Sequence, residues 1–233
     1  MVNIMTQLDQ CPKKPRLYGR RKGRPLRAKR AALMDDLLPK IKVNVPEEGG
    51  EVNPYALFDD VPAGVQLEIG FGGGEHLAAQ AEANPDIGFI GCEPFIDGVA
   101  SLVRHVDEGG LKNVRILPDD ARLLLDAMSD DCIDKCYVLY ADPWPKKRHA
   151  MRRFIGPDNL PRLSRVMKSG AQLRLATDVA GLAQWMREQC NTHKDFDCLY
   201  DGPDAPTDWI PTRYEQKGIA AGRVPEYLIF KRK

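Results

Sequence analysis

The stretch VQLEIGFGGGEHL, Val65 to Leu77, decides the fold. It begins as a strand-like run and passes through glycines at 70, 72, 73 and 74 into a helical continuation from about Gly74 to Ala83. Glycine accepts positive φ and lets a ligand approach the backbone closely. One glycine would serve a tight strand-to-helix turn. Four in five positions suit a turn that carries a ligand.

Outward from that turn the alternation repeats. IGFIGCE reads as a second strand, with a helical stretch after Pro94. NVRIL, KCYVLYAD and AQLRLATD read as further strands, separated by the helical runs ARLLLDAM and NLPRLSRVM and followed by VAGLAQWMREQC. EYLIFKRK reads as a last strand, placed antiparallel at the end of the sheet. Strands alternating with helices of this length predict an α/β fold with a mostly parallel sheet covered on both faces. LRAKRAALMDDLLPK predicts a short amphipathic helix that ends near Pro39, and VPEEGGEVNP predicts a loop.

In such a sheet, ligands gather outside the carboxyl ends of the strands. Acids stand there at Glu93, Asp142 and Asp178, with Glu68 just before the glycine turn. Polar strand ends are common, so one acid means little; several at one edge mean more. A dinucleotide fingerprint would want a small residue at position 75, where Glu75 stands. The pattern is instead E-x-G-x-G-x-G, from Glu68 to Gly74. An acid at that turn repels a pyrophosphate and suits a ligand carrying an ammonium and a sulfonium. Glu93, ending the second strand, is placed to accept from ribose hydroxyls. Together these features favour S-adenosyl-L-methionine over a nicotinamide cofactor.

The chain has 233 residues, 43% of them hydrophobic, enough for one sizeable core with an extra arm. Its apolar runs are too short to cross a bilayer and its N-terminus lacks a signal-peptide core, so the expectation is a cytoplasmic protein with no membrane partner. Six scattered cysteines without a CxxC pair are expected to be reduced thiols. His76, His105, His149 and His193 lack paired ligand spacing, so no metal is assigned. Trp185 and Met186 fit a helix's core face. The net charge is +1, but it is unevenly spread. Residues 13–30 hold 10 Lys or Arg and no acid, leaving 24 bases against 33 acids, a net of −9, elsewhere. Residues 1–30 are therefore expected to form a basic, mobile arm, with residues 31–233 as the folded domain. A second basic cluster runs from Lys146 to Arg153. Two such patches favour a polyanionic partner, and charge alone leaves RNA, DNA and a membrane surface open.

The second cluster follows YVLYADPWPKKRH, Tyr137 to His149, in which a buried-looking strand stops at an acid. Pro143 and Pro145 are expected to hold Asp142 and Trp144 in extended geometry. Trp144 suits either core filling or base stacking.

With these motifs on the page, the chain resembles the bacterial tRNA (guanine-N7-)-methyltransferases. The likeness runs from RLYGRRKGRPL through LEIGFGGG, GCEP, ADPWPKKRHAMRR and ATD to PTRYEQKG. It departs at Pro145, where relatives often carry histidine. The resemblance implies the class I methyltransferase (Rossmann-like) sheet, six strands parallel and one reversed, and transfer of a methyl group to N7 of guanosine 46 in the tRNA variable loop. It implies cofactor contacts at Glu68, Glu93, Asp120 (with Asp119 as its neighbour in register) and Asp142, above the turn of Gly70, Gly72 and Gly74. Asp142 is also implied as catalytic. Substrate contacts are implied at Lys146, Asp178, Thr212, Arg213, Tyr214 and Glu215, and RNA contacts at Arg148, His149, Arg152 and Arg153. No DNA partner is implied. A methyltransferase acting on another base or a protein amino group would commonly carry N/D-P-P-Y/F where DPW stands. A noncatalytic RNA-binding module would not need the intact glycines and acids. The oligomeric state, monomer or homodimer, stays open.

Overall fold

The computed structural model describes residues 17–46 and 49–233, and over them strands and helices alternate. The strands are β1 (Gly64–Ile69), β2 (Ile87–Cys92), β3 (Val114–Leu117), β4 (Ile133–Leu139), β5 (Met167–Thr177), β6 (Phe196–Gly202) and β7 (Glu226–Arg232). They form one sheet in the order β3-β2-β1-β4-β5-β7-β6. β7 runs antiparallel to both of its neighbours, and the other pairings are parallel. The strand order reverses at β1, which pairs with β2 on one side and β4 on the other. That is the switch point where an α/β sheet opens a crevice at its carboxyl edge. The expected α/β fold is what the chain adopts, and the last strand is antiparallel as expected, but it does not end the sheet: β7 lies between β5 and β6, and β6 forms the edge.

Alternating side chains along the strands feed two faces. On one, Leu67, Ile90, Cys136, Val138 and Leu173 join a core with Leu124, Leu163 and Met186. These come from α5 (Ala121–Ala127), α6 (Leu160–Val166) and α7 (Ala180–Thr192). On the other, Phe89, Val114 and Ile116 pack with Leu77, Val99 and Leu102 of α3 (Glu75–Ala83) and α4 (Ile96–Gly109). α4 buries Val99, Leu102, Val103 and Val106, an i, i+3, i+4, i+7 stripe. It ends at Gly110, whose φ of 58° is the left-handed turn that closes a helix. Burying a large aliphatic side chain is worth about 1.5–3 kcal/mol, so these two layers hold the strand edge rigid.

Three further expectations need correction. Pro39 does not end the first helix. It stands in the first turn of a second one, since α1 (Ala28–Asp36) is followed by α2 (Leu38–Ile41), where a missing N–H costs nothing. Trp144 is not extended: its φ is +40°. A following proline disfavours the right-handed α region but does not alone select the extended one. The division of the chain at residue 30 falls inside α1, and residues 17–27 run over the body. Arg21 accepts from the Ile96 N–H through its carbonyl (3.0 Å) and pairs with Asp119 at 2.5 Å. The remainder of the expected arm, residues 1–16 with Cys11, lies outside the described residues. Cys92, Cys132, Cys136, Cys190 and Cys198 are free thiols, and all but Cys198 are buried. No helix among the described residues is long and apolar enough to cross a membrane.

Candidate active site

The glycine turn takes its shape from backbone that only glycine adopts freely. Gly70, Gly72 and Gly74 have φ of 73°, 55° and 78°. A side chain at Gly74 would meet Leu102 Cβ at 2.6 Å, so this glycine seats α3 on α4. At Gly70 and Gly72, nothing stands within 4 Å of where a Cβ would be. There the backbone borders open space.

That space is a cavity of about 370 Å³ at the carboxyl ends of β1 and β4. Glu68, Gly70, Gly72, Thr212, Arg213 and Tyr214 all line it, joined by Glu75, His76, Tyr140 and Lys217. A larger cavity, about 1040 Å³, lies beside α5, residues 42–46 and residues 49–51. Its arginines are already paired, Arg162 with Asp126 and Arg165 with Asp130. The smaller cavity is the one that brings Glu68, the glycine turn and the 212–214 segment together.

Glu68 is buried, and Nδ1 of His76 stands 2.7 Å from its Oε2. Glu93 is also buried, and its carboxylate accepts from the N–H of Gly72 (3.0 Å) and of Phe95 (2.9 Å). It thereby ties the glycine turn to the end of β2. Burial raises the Glu93 carboxyl above the ordinary glutamate range, against the lowering effect of those two N–H groups. The charges of Asp142 and Glu68 push it further up.

Asp120 caps α5 through the Arg122 N–H (3.0 Å) and also holds the Arg122 guanidinium at 2.5 Å. Asp119 accepts from the Asp120 N–H at 2.7 Å and from Arg21. Neither Asp120 nor Glu93 lines the smaller cavity.

Asp142 is exposed between two residues in left-handed backbone, Tyr140 at φ 52° and Trp144 at φ 40°. Such conformations cost roughly 1–3 kcal/mol each and persist only where packing enforces them. Here Arg153 donates to the carbonyls of Pro143 (3.0 Å) and Trp144 (3.3 Å) while stacking on Trp185. Tyr140 N–H donates to Ala176 in β5 at 2.8 Å. The Trp144 ring is neither core nor isolated. Arg152 lies over it at 5.0 Å and over Tyr18 at 4.6 Å, and His149 meets it edge-on at 5.9 Å. Lys146, Lys147 and Arg148 are exposed and have no acidic partner among the described residues. His149 titrates below the ordinary imidazole range, through lost hydration and the charges of Arg152, Arg148 and Lys146.

The last segment divides. Thr212 caps α8 (Arg213–Ala220), forming a capping box with Glu215. Glu215 is 2% exposed and accepts from Tyr227 Oη (2.6 Å) and Trp209 Nε1 (3.1 Å). It anchors the helix and does not face the cavity. Tyr214 does, at 49% exposure, its ring tilted at 46° against Tyr140 with centroids 5.1 Å apart. Arg213 stands 3.6 Å from Glu75. Asp178 is buried beneath α8 and pairs with Arg223 at 3.0 Å.

Sequence reading missed the cavity residues Glu75, His76, Tyr140 and Lys217, and the anchors Trp209 and Tyr227. The signal available for His76 was its place in the first turn of the helix that follows Glu68 and the glycines. Lysine and arginine aside, nothing in the sequence marked Tyr18 as a partner of Trp144.

Among solved structures, the fold is similar to that of the 16S rRNA methyltransferase KamB. The TM-score is 0.55 at 20% identity, covering 74% of this chain and 89% of that one. TrmN from Thermus thermophilus also gives a TM-score of 0.55, at 14% identity, covering 88% of this chain and 48% of that one. A family described as "Putative methyltransferase" matches residues 62–225. The tRNA (guanine-N(7)-)-methyltransferase of Paramagnetospirillum magneticum is 47% identical, over 97% of this chain and 96% of its own. That of Rhodospirillum rubrum is 44% identical, over 95% of this chain and 91% of its own. With its strand-edge acids, open glycine turn and full-length likeness to such relatives, the chain belongs to the tRNA (guanine-N(7)-)-methyltransferase family.

Proposed function

We propose that this site transfers a methyl group from S-adenosylmethionine to N7 of guanosine 46 in the variable loop of tRNA, in the cytoplasm. The observation that carries the reading is one strand edge where an acid-lined, glycine-floored cavity meets an exposed carboxylate and an unpaired basic loop.

The residues present fit the cofactor. Open space above Gly70 and Gly72 lets a ligand lie on the backbone, and Glu68 offers a carboxylate to a cationic end. Glu93 keeps lone pairs beyond its two N–H bonds for ribose hydroxyls. Asp120, already bonded to Arg122, or Asp119 beside it would border the base. When bound, S-adenosylmethionine supplies a methyl group already activated as a sulfonium.

Guanine N7 carries a lone pair and no proton, so methyl transfer to it needs no general base. Positive charge grows on the purine as the bond forms. Asp142, exposed at the strand end, is placed to stabilise that charge and to accept from the guanine N1–H and N2 amine. The left-handed backbone on either side keeps Asp142 in place at the strand end. Tyr214, tilted against Tyr140 and half exposed, offers a face on which a base can lie. Lys146, Arg148, His149 and Arg152 hold phosphate and contribute position more than sequence information. Arg153 shapes the loop, and Asp178 and Glu215 brace α8.

The test is methyl transfer from labelled cofactor into bulk tRNA lacking 7-methylguanosine, followed by nucleoside analysis and mapping. Label in 7-methylguanosine at position 46 is expected. Label in another nucleoside, or in protein, would sink the reading.

A further inference from the structure

α3 sends one side chain back to the strand edge in a way that the reading above leaves unused. His76 is 4% exposed. Its Nδ1 stands 2.7 Å from Oε2 of Glu68, and its Nε2 stands 3.4 Å from Nε2 of Gln80. The ring lies edge-on to Tyr137, with centroids 5.0 Å apart, and tilted against Trp209 at 6.5 Å. Trp209 meets Tyr227 at 4.9 Å, and both donate to Glu215, the residue that closes the cap of α8. The imidazole is therefore held by four neighbours, Glu68, Gln80, Tyr137 and Trp209.

Glu68 itself lines the cavity, and its Oε1 accepts no hydrogen bond among the described residues. A carboxylate only accepts, so the proton in the 2.7 Å contact belongs to His76 Nδ1. The Gln80 side-chain nitrogen stands 3.4 Å from Nε2, a contact that suits an Nε2 without a proton. On that assignment the imidazole is neutral, with its one proton on Nδ1. It orients the carboxylate without cancelling its charge. An ammonium at this place would pair with Glu68 and remove the negative charge the cavity offers; a leucine would leave a buried oxygen without a donor.

We propose that His76 is a positioning residue for cofactor binding. It holds Oε2 of Glu68 by donation from Nδ1, so that Oε1 and the full negative charge face a cationic group in the cavity. The inference rests on the reading of that cavity as the cofactor site.

Two measurements test it. Nitrogen-15 NMR of the ligand-free protein should show the His76 ring neutral, protonated at Nδ1. A ring protonated only at Nε2, or at both nitrogens, overturns the donor assignment whatever the cavity binds. Calorimetry with S-adenosylhomocysteine then compares the wild type with His76→Asn and His76→Phe. Asparagine returns an N–H near the place of Nδ1, whereas phenylalanine keeps the ring and loses the donor. The expected result is binding about tenfold weaker for His76→Phe and within about threefold of wild type for His76→Asn, a charge-assisted hydrogen bond being the difference. A purely structural role would not be rescued by asparagine, so equal weakening in both variants overturns the proposal. So does wild-type affinity in His76→Phe. No binding by the wild type would instead overturn the cofactor reading beneath it, and the NMR arm would still report the tautomer.

Discussion

Glu93 and Asp142 stand at the carboxyl ends of the two strands that flank β1, and the chain treats them in opposite ways. Glu93 is buried, held by two backbone N–H groups and pushed up in pKa. Asp142 is exposed and has no hydrogen bond or ion pair among the described residues. The same contrast extends around each. On the β1–β2 side, Glu68 and the glycine turn are already fastened by His76 and Glu93. On the β4 side, the bases of the 146–148 run have no acidic partner among the described residues. One half of the site is finished in the free protein. The other half has its backbone fixed and its charges left open, the condition expected where a large polyanion completes the site.

The largest expected effect is on the open side. Asp142→Asn preserves size and backbone and removes the charge. kcat should fall by about 100-fold or more, close to 3 kcal/mol, with tRNA affinity little changed. Single-turnover kinetics check this. A near-normal rate would reduce Asp142 to a positioning residue and break the contrast at its centre.

Glu93→Ala probes the finished side. It removes an acceptor for a ligand and the two N–H bonds that hold the turn, so cofactor binding should weaken by roughly 1–3 kcal/mol in calorimetry. The pH dependence has a definite sign. The ionised carboxylate is the better acceptor, so affinity is present above the raised Glu93 pKa and falls as pH drops through it. Folding has the opposite sign. A carboxyl with a raised folded-state pKa contributes stability fully present below the ordinary glutamate range, and loses it as pH rises through the raised value. Affinity that is flat with pH in the wild type would show that Glu93 serves only the turn.

Glu215 separates anchoring from substrate contact. Glu215→Gln removes the charge and sets an amide N–H against Trp209 Nε1, which only donates, or against Tyr227 Oη, whose hydroxyl must then turn to accept. Stability should fall by about 1–2 kcal/mol in denaturant titration, the cost of one buried charge-assisted hydrogen bond lost. If stability holds and the KM for tRNA rises, the residue contacts substrate instead.

What was legible in the sequence followed from rules that act locally. Alternating apolar runs with glycines between them gave the parallel sheet, and acids at strand ends gave Glu68, Glu93 and Asp142. β6 was not legible from alternation. Phe196–Gly202 carries Asp197, Cys198, an exposed Leu199 and a register shift before Tyr200, because an edge strand has little to bury. The Trp144 backbone was misread because the rule before proline excludes one region and leaves the choice to tertiary contacts, here Arg152 and Arg153. Glu215 was implied as a substrate contact, and it is buried. Its burial depends on Trp209 and on Tyr227, which arrives from a strand further along the chain. His76 was weighed only as a metal ligand, while its partner was a carboxylate on the preceding strand.

The smallest expected effect belongs to single members of the basic run, and it tests whether their lack of partners means what the contrast implies. Lys146, Lys147 and Arg148 are exposed and would give up little on substitution if they were ordinary solvated charges. If they are kept for phosphate, each should carry its share of counterion release. Changing one to alanine should then lower the slope of log affinity against log salt by ~0.7–0.9, with affinity at low salt falling several-fold. Cofactor affinity and thermal stability should not move, since no partner inside the protein is lost. Arg153→Ala is the internal control: its guanidinium bonds the Pro143 and Trp144 carbonyls. That change should loosen the loop and lower kcat, with a smaller effect on the salt slope than at Lys146 or Arg148. Equal salt slopes for the Lys146 variant and the wild type, measured by filter binding across a salt series, would mean that the open side is finished by something other than these charges.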